Sequence, residues 1–113
     1  MAQAVFVQAG DAIDYLPEAD VAPGDVVVQG DLIGIAKVGI PTGALGALAV
    51  VGVFDVAKAS GAAVTFLAGD QVYWDDAAKL AVTTDGAGAN KLLGKAVAAA
   101  ADEDATVRVR LSQ

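Results

Sequence analysis

Gly24-Asp25-Val26-Val27, running on to Leu32-Ile33-Gly34-Ile35-Ala36, is answered later in the chain by Gly69-Asp70-Gln71-Val72 and Leu92-Leu93-Gly94-Lys95-Ala96. Each Gly-Asp reads as a turn that opens an apolar run, because Gly tolerates positive φ and Asp bonds nearby backbone amides. Each Leu-x-Gly-x-Ala phrase is followed by a strand-like run, Leu48 to Phe54 and Ala105 to Leu111. The pattern predicts an all-β domain with an internal pseudo-duplication. The two copies differ in internal spacing, so this is two related units and not a repeat array.

The rest of the chain follows the same grammar. Val5-Phe6-Val7 reads as a short strand closed by Gly10-Asp11, and Ile13-Asp14-Tyr15 begins the next segment. Val26 to Gln29 and Leu32 to Lys37 flank Gly30-Asp31, a tight hairpin signal. Ala47 to Val56 reads as one long strand with Gly52 at a bulge or close backbone approach. Gln71 to Asp75 and Leu80 to Thr84 form a second hairpin, and 85–90 is a Gly-rich loop. Along 105–111, Val107, Val109 and Leu111 face one way and Arg108 and Arg110 the other. The Ala-rich stretch 91–104 imitates a helix. Its lysines would sit at the positive end of the dipole and Asp102-Glu103-Asp104 at the negative end, so a strand to about Ala98 followed by a loop is predicted.

Composition bounds the function. The chain of 113 residues is expected to form a single domain over 1–113. It is 56% hydrophobic but only 5% aromatic, and 19% charged against a typical value of about 25%. Its mean hydropathy is +0.56. Ala inflates that figure at little area per residue; equally, part of the apolar surface can face another protein. The net charge of −7 opposes binding to nucleic acid or to anionic membranes. There is no Cys, hence no disulfide framework, and the N-terminus lacks the basic and apolar regions of a signal peptide. The uncharged stretch Val38 to Phe54 reaches the minimum span of a membrane helix, about 17 residues, but Pro41-Thr42-Gly43 and further glycines break it.

Catalytic groupings are thinned by what is missing. Without His or Cys there is no Ser-His or Cys-His dyad and no ordinary zinc site. Asp75 and Asp76 are neighbours and point to opposite faces of a strand. Asp102-Glu103-Asp104 lacks the spacing of a calcium loop. Gly88 to Lys95 imitates a phosphate-binding loop, yet five residues separate its glycines where four are needed, and Ala96 stands where a hydroxyl must ligate magnesium. No enzyme, cofactor or metal is expected. Tyr73 and Trp74 are adjacent on a strand, so one ring is expected in the core and the other at a rim or subunit contact. Arg108 and Arg110 are expected to pair with carboxylates on an adjacent strand.

Taken in order, these phrases resemble the small phage capsid cement (decoration) proteins. The resemblance is carried by Val5-Phe6-Val7-Gln8-x-Gly10-Asp11-x-Ile13-Asp14-Tyr15, Gly24-Asp25-Val26-Val27, Gly30-Asp31-Leu32-Ile33-Gly34 and Gly52-Val53-Phe54-Asp55-Val56-x-Lys58. Gly69-Asp70-x-Val72-Tyr73-Trp74-Asp75 and Ala105-Thr106-Val107-Arg108-Val109-Arg110-Leu111 complete it. It implies a β-sandwich or jelly-roll-like barrel that binds the outer surface of an assembled virion shell. It also implies a dimer or trimer bridging phage major capsid proteins, with assembly in the host cytoplasm. Val5, Phe6, Val7, Tyr73 and Trp74 are the expected protein-contact residues, the first three within an N-terminal contact arm spanning 1–8. The alternative is a β-sandwich module binding a ligand or surface glycan on a ring at Tyr73 or Trp74, which would require that ring to be exposed among polar side chains.

Overall fold

The computed structural model describes residues 3–6, 8, 10–60 and 64–111. Among the described residues, nine short strands form two antiparallel sheets. The first sheet contains β1 (Ala12–Tyr15), β2 (Val26–Gln29), β3 (Leu32–Ile35) and β4 (Gly46–Ala49), in the order β1-β4-β3-β2. The second contains β5 (Val53–Ala57), β6 (Gln71–Asp75), β7 (Leu80–Val82), β8 (Lys91–Ala96) and β9 (Thr106–Leu111), in the order β5-β9-β8-β6-β7. The only helical element among the described residues is a 3-10 turn at Gly86–Gly88. The all-β sandwich is therefore the architecture, with each sheet drawn from one contiguous half of the chain.

The duplication is real at the level of topology. With β1, β2, β3 and β4 matched to β5, β6, β8 and β9, the two sheets have the same strand order, and β7 is an added edge strand of the second. The hydrogen bonds repeat as well. Gly24 N donates to Ala36 O at 2.6 Å and Ala36 N to Asp25 O at 3.0 Å; Gly69 N donates to Ala96 O at 2.7 Å and Ala96 N to Asp70 O at 2.8 Å. Gly24 and Gly69 have φ of 89° and 94°, and Asp25 and Asp70 each accept the amide three residues before them at 2.9 Å. The Gly-Asp turn chemistry thus ties the start of β2 or β6 to the end of β3 or β8.

Each unit also closes on an equivalent isolated bridge, Val21 with Ile40 and Phe66 with Ala100. The sizes compensate: a medium pair in one unit is replaced by a large and a small residue in the other, which keeps the filled volume similar. Beside each bridge a Thr hydroxyl donates to an Asp, with the partners exchanged between strands: Thr42 to Asp20 at 2.8 Å, and Thr65 to Asp102.

Two sequence expectations are corrected here. The run Ala47 to Val56 is not one bulged strand. It breaks into β4 and β5, which belong to different sheets, because Gly52 takes φ +126°, a conformation open to Gly, and turns the chain across. The repeated unit consequently begins one strand earlier than the Gly-Asp phrases suggest, at β1 and at β5. Nor do Val5 and Phe6 form the expected strand: neither makes a strand pairing, and Val7 lies outside the described residues.

The core is asymmetric between the units. In the first, Ala36, Ile40 and Leu48 form a small cluster with Ile13, Tyr15, Val21 and Val27 around it. The larger cluster holds their counterparts in the second unit, among them Phe66, Val72, Ala96 and Val109. It also takes in Ile33 and Ile35, with Val26 and Val28 packed against it. The β2–β3 hairpin is therefore apolar on both faces, one lining its own unit and the other covering the second. The bulge is found elsewhere than Gly52: register shifts between Val72 and Tyr73, where Leu93 of β8 is the extra residue.

Candidate functional site

The carboxylates that a catalytic reading would need serve as local acceptors. Asp75 accepts the amides of Ala77 and Ala78 at 3.1 Å in the β6–β7 turn. Asp76 accepts the Lys79 ammonium at 2.8 Å and the Trp74 indole N–H at 3.1 Å, which hold its carboxyl below the usual range. Asp102 accepts Val64 N and the Thr65 hydroxyl, and Asp104 accepts Ala101 N. Asp85 precedes the 3-10 turn without capping it through its side chain. No group of three or more acidic side chains among the described residues is placed to hold a metal ion. The phosphate-loop imitation has the wrong geometry, since Gly94 and Lys95 lie within the strand Lys91–Ala96, where the motif needs a loop opening a helix.

Tyr73 and Trp74 divide as adjacent strand residues must. Trp74 is 5% exposed and sits in the main core. Tyr73 is half-buried on the opposite face, where its hydroxyl donates to Gln71 Oε1 at 2.8 Å. It borders an open cleft of about 440 Å³ lined by Thr65, Asp70, Gln71, Thr83, Thr84 and Asp85. At the N-terminus Val5 and Phe6 are 77% and 84% exposed, and Gln8 Nε2 donates to Ala12 O at 3.0 Å, attaching the segment to the start of β1.

The outward face of the second sheet is organised in rows by its register. Asp55 lies opposite Arg108, and Arg108 donates to both Asp55 oxygens at 2.9 and 3.2 Å. This pairing lowers the Asp55 pKa and raises that of Arg108. The next row runs Val53, Arg110, Lys95, Gln71 across β5, β9, β8 and β6. Arg108 thus meets the expected carboxylate and Arg110 does not, because β5 presents Val53 at that position. Alternation showed that both arginines face outward; it carried no signal for what stands opposite. Two further features were beyond sequence reading. Lys95 is brought beside Arg110, and Lys58 is buried at 4% exposure, its ammonium donating to the carbonyls of Ala59, Ala101, Asp102 and Asp104 at 2.8–3.2 Å.

No helix among the described residues is long and apolar enough to cross a membrane. No curated protein and no solved structure matches this chain. A family model described as phage cement protein matches residues 7–111, which takes in every strand of both sheets. By that match, over nearly its whole length, the chain belongs to the phage cement protein family, a family of virion structural proteins.

Proposed function

We propose that this protein binds the outer surface of an assembled phage capsid as a homo-oligomer and stabilises it by bridging neighbouring major capsid proteins. The observation that carries the reading is the family match along residues 7–111. Physical features agree with it. Pressure from packaged DNA opens the joints between shell proteins, and a subunit seated across a joint adds buried area that opening would have to expose. Several weak attachments in one oligomer hold together by raised effective concentration. The net charge of −7 keeps such a protein from competing for the DNA itself. Its place is the virion exterior, after assembly in the host cytoplasm, with the shell and its own copies as partners and no catalytic role.

The contact arm 1–8 is part of this proposal. Val5 and Phe6 are large apolar side chains held in solvent, and an extended segment can add to a neighbour's sheet edge through main-chain hydrogen bonds. Tyr73 is proposed as a second contact, at the rim of the outward sheet face; Trp74, buried in the core, supports that face from behind. Mixing purified protein with shells that lack it tests the whole reading. Saturable binding with a higher temperature of shell disruption is expected, and shells that neither bind nor gain stability would refute it.

A second reading is favoured by one observation: Tyr73 lies beside a polar cleft with hydroxyl and carboxylate groups, as a glycan platform would. It predicts that glycan binding is lost in Tyr73→Ala while shell binding survives.

A further inference from the structure

The chain has seven Lys and Arg residues against fourteen Asp and Glu. Lys79, Lys91 and Arg108 are in ion pairs and Lys58 is buried against carbonyls. Three cations are left whose side chains have no hydrogen bond or ion pair among the described residues: Lys37, Lys95 and Arg110. Lys37 stands alone in the loop after β3. Lys95 and Arg110 stand directly opposite each other in the β8–β9 pairing, both exposed and both on the outward face. Directly opposed side chains in an antiparallel pair are about 5 Å apart, and like charges there are destabilising. In a protein with two acids for every base, the sheet places two cations together and, among the described residues, supplies neither with an acid.

The surroundings of the pair have the character of a contact surface. Val53, 55% exposed, follows Arg110 in the same row, and Val97, 44% exposed, donates its amide to Arg108 O one row away. Tyr73 borders the row through Gln71. Arg and Tyr with exposed apolar neighbours are the composition that recurs where binding energy concentrates at protein interfaces. A guanidinium also offers a planar fork that matches a carboxylate.

We infer that this face of the second sheet, centred on Lys95 and Arg110, docks a carboxylate-bearing surface of the shell protein. The inference rests on the capsid-binding reading above and gives it a face and a chemistry. A second copy docked face to face is the poorer occupant. A two-fold contact of this face with itself would bring four cations together, since such an interface uses the same patch on both sides. Acids on the shell protein would satisfy both cations at once and relieve their mutual repulsion. The pair is then a local cost that binding recovers.

The test is quantitative binding of the full-length protein to shells lacking it, at two salt concentrations, beside the oligomeric mass and melting temperature of each variant. Lys95→Gln/Arg110→Gln is expected to melt at or above the wild-type temperature, because a repulsion is removed, and to bind shells at least about tenfold more weakly. Its remaining binding should respond less to salt. Lys95→Arg/Arg110→Lys keeps both charges and should bind within a few-fold of wild type, and Lys37→Gln should bind as wild type does. If the neutral double variant binds like wild type, this face is not the docking surface, although capsid binding stands. If it instead loses its oligomeric mass, the face joins copies of the protein and the inference is overturned. If wild-type protein itself fails to bind shells, the underlying reading falls first.

Discussion

Gly94 is the residue where the second sheet tolerates least. A Cβ built on it would lie 2.0 Å from the carbonyl oxygen of Arg110, a backbone atom that cannot swing aside, and 3.0 Å from the Leu111 Cα. Gly34, its counterpart in the first unit, would meet the Leu48 Cβ at 2.7 Å, a less severe overlap, though one that side-chain rotation does not relieve because a Cβ is fixed to its backbone. The Leu-x-Gly-x-Ala phrase thus records two close approaches to a neighbouring strand. Gly94→Ala should destabilise by about 3 kcal/mol or more, at the upper end of the overpacking range. Gly10→Ala, with nothing within 4 Å, should stay within about 0.5 kcal/mol of wild type. Denaturant unfolding of both variants checks the contrast, and equal effects would show that the strands can separate at β8–β9. Lys58 makes the complementary case of a residue that fills a gap. Its ammonium ties the 101–104 loop to the end of β5, whereas in the first unit Gly43 N donates to Pro17 O at 3.1 Å between equivalent segments. Lys58→Met removes the donor from four carbonyls and should cost about 3 kcal/mol or more, the worth of one or two charge-assisted hydrogen bonds. Amide hydrogen exchange should accelerate at Ala101 and Asp104. Unchanged exchange there would mean the loop holds without the cation.

At the scale of elements, signals carried by adjacent residues were legible and signals carried across the sheet were not. Both hairpins, the alternation of β9 and the strand character of 91–96 follow from turn residues, period and dipole placement, all local in sequence. The division of 47–56 between two sheets was not readable. A Gly within an apolar run serves equally at a bulge or at a crossing, and only the pairing of β4 with β1 and of β5 with β9 decides. The same limit hid the Lys95–Arg110 row and the donor role of Lys58. Of the expected site residues, Tyr73 and Trp74 were readable as facing opposite sides of the strand, but which of the two is buried was not. For the N-terminus, a short apolar run suggested a strand that Val5 and Phe6 do not form. Removing the arm takes away no strand residue among those described. Deleting residues 2–7 should leave the melting temperature within about 2 °C, as expected when little apolar area is uncovered, while shell binding falls sharply. Unfolding of the truncated protein would make the segment part of its own sheet, and normal binding would remove its role as an arm.

For the molecule as a whole, charge sets how stability responds to pH. The hydrogen bonds of Asp20 with Thr42, Asp31 with Lys91, Asp55 with Arg108 and Asp76 with Lys79 each lower the carboxyl pKa below the ordinary 3.8. A group whose pKa is depressed by folding contributes stability that is fully present above its unfolded value and is lost as pH falls through its folded value. These four therefore hold stability constant from neutrality down to about pH 4 and withdraw it below. The net charge acts in the opposite sense over the upper part of that range. At pH 7 the chain carries −7 and repels itself; near its isoelectric point of about 4.1 that repulsion has gone. The two effects occupy successive windows, so the melting temperature should hold level or rise from pH 7 to about 4.5 and then fall steeply below about 3.8. Salt separates them: added at pH 7 it should raise the melting temperature by screening repulsion among exposed acids, and near pH 4 that gain should vanish. A melting temperature that falls steadily between pH 7 and 5, where none of these carboxylates takes up a proton, would show that some other group governs stability.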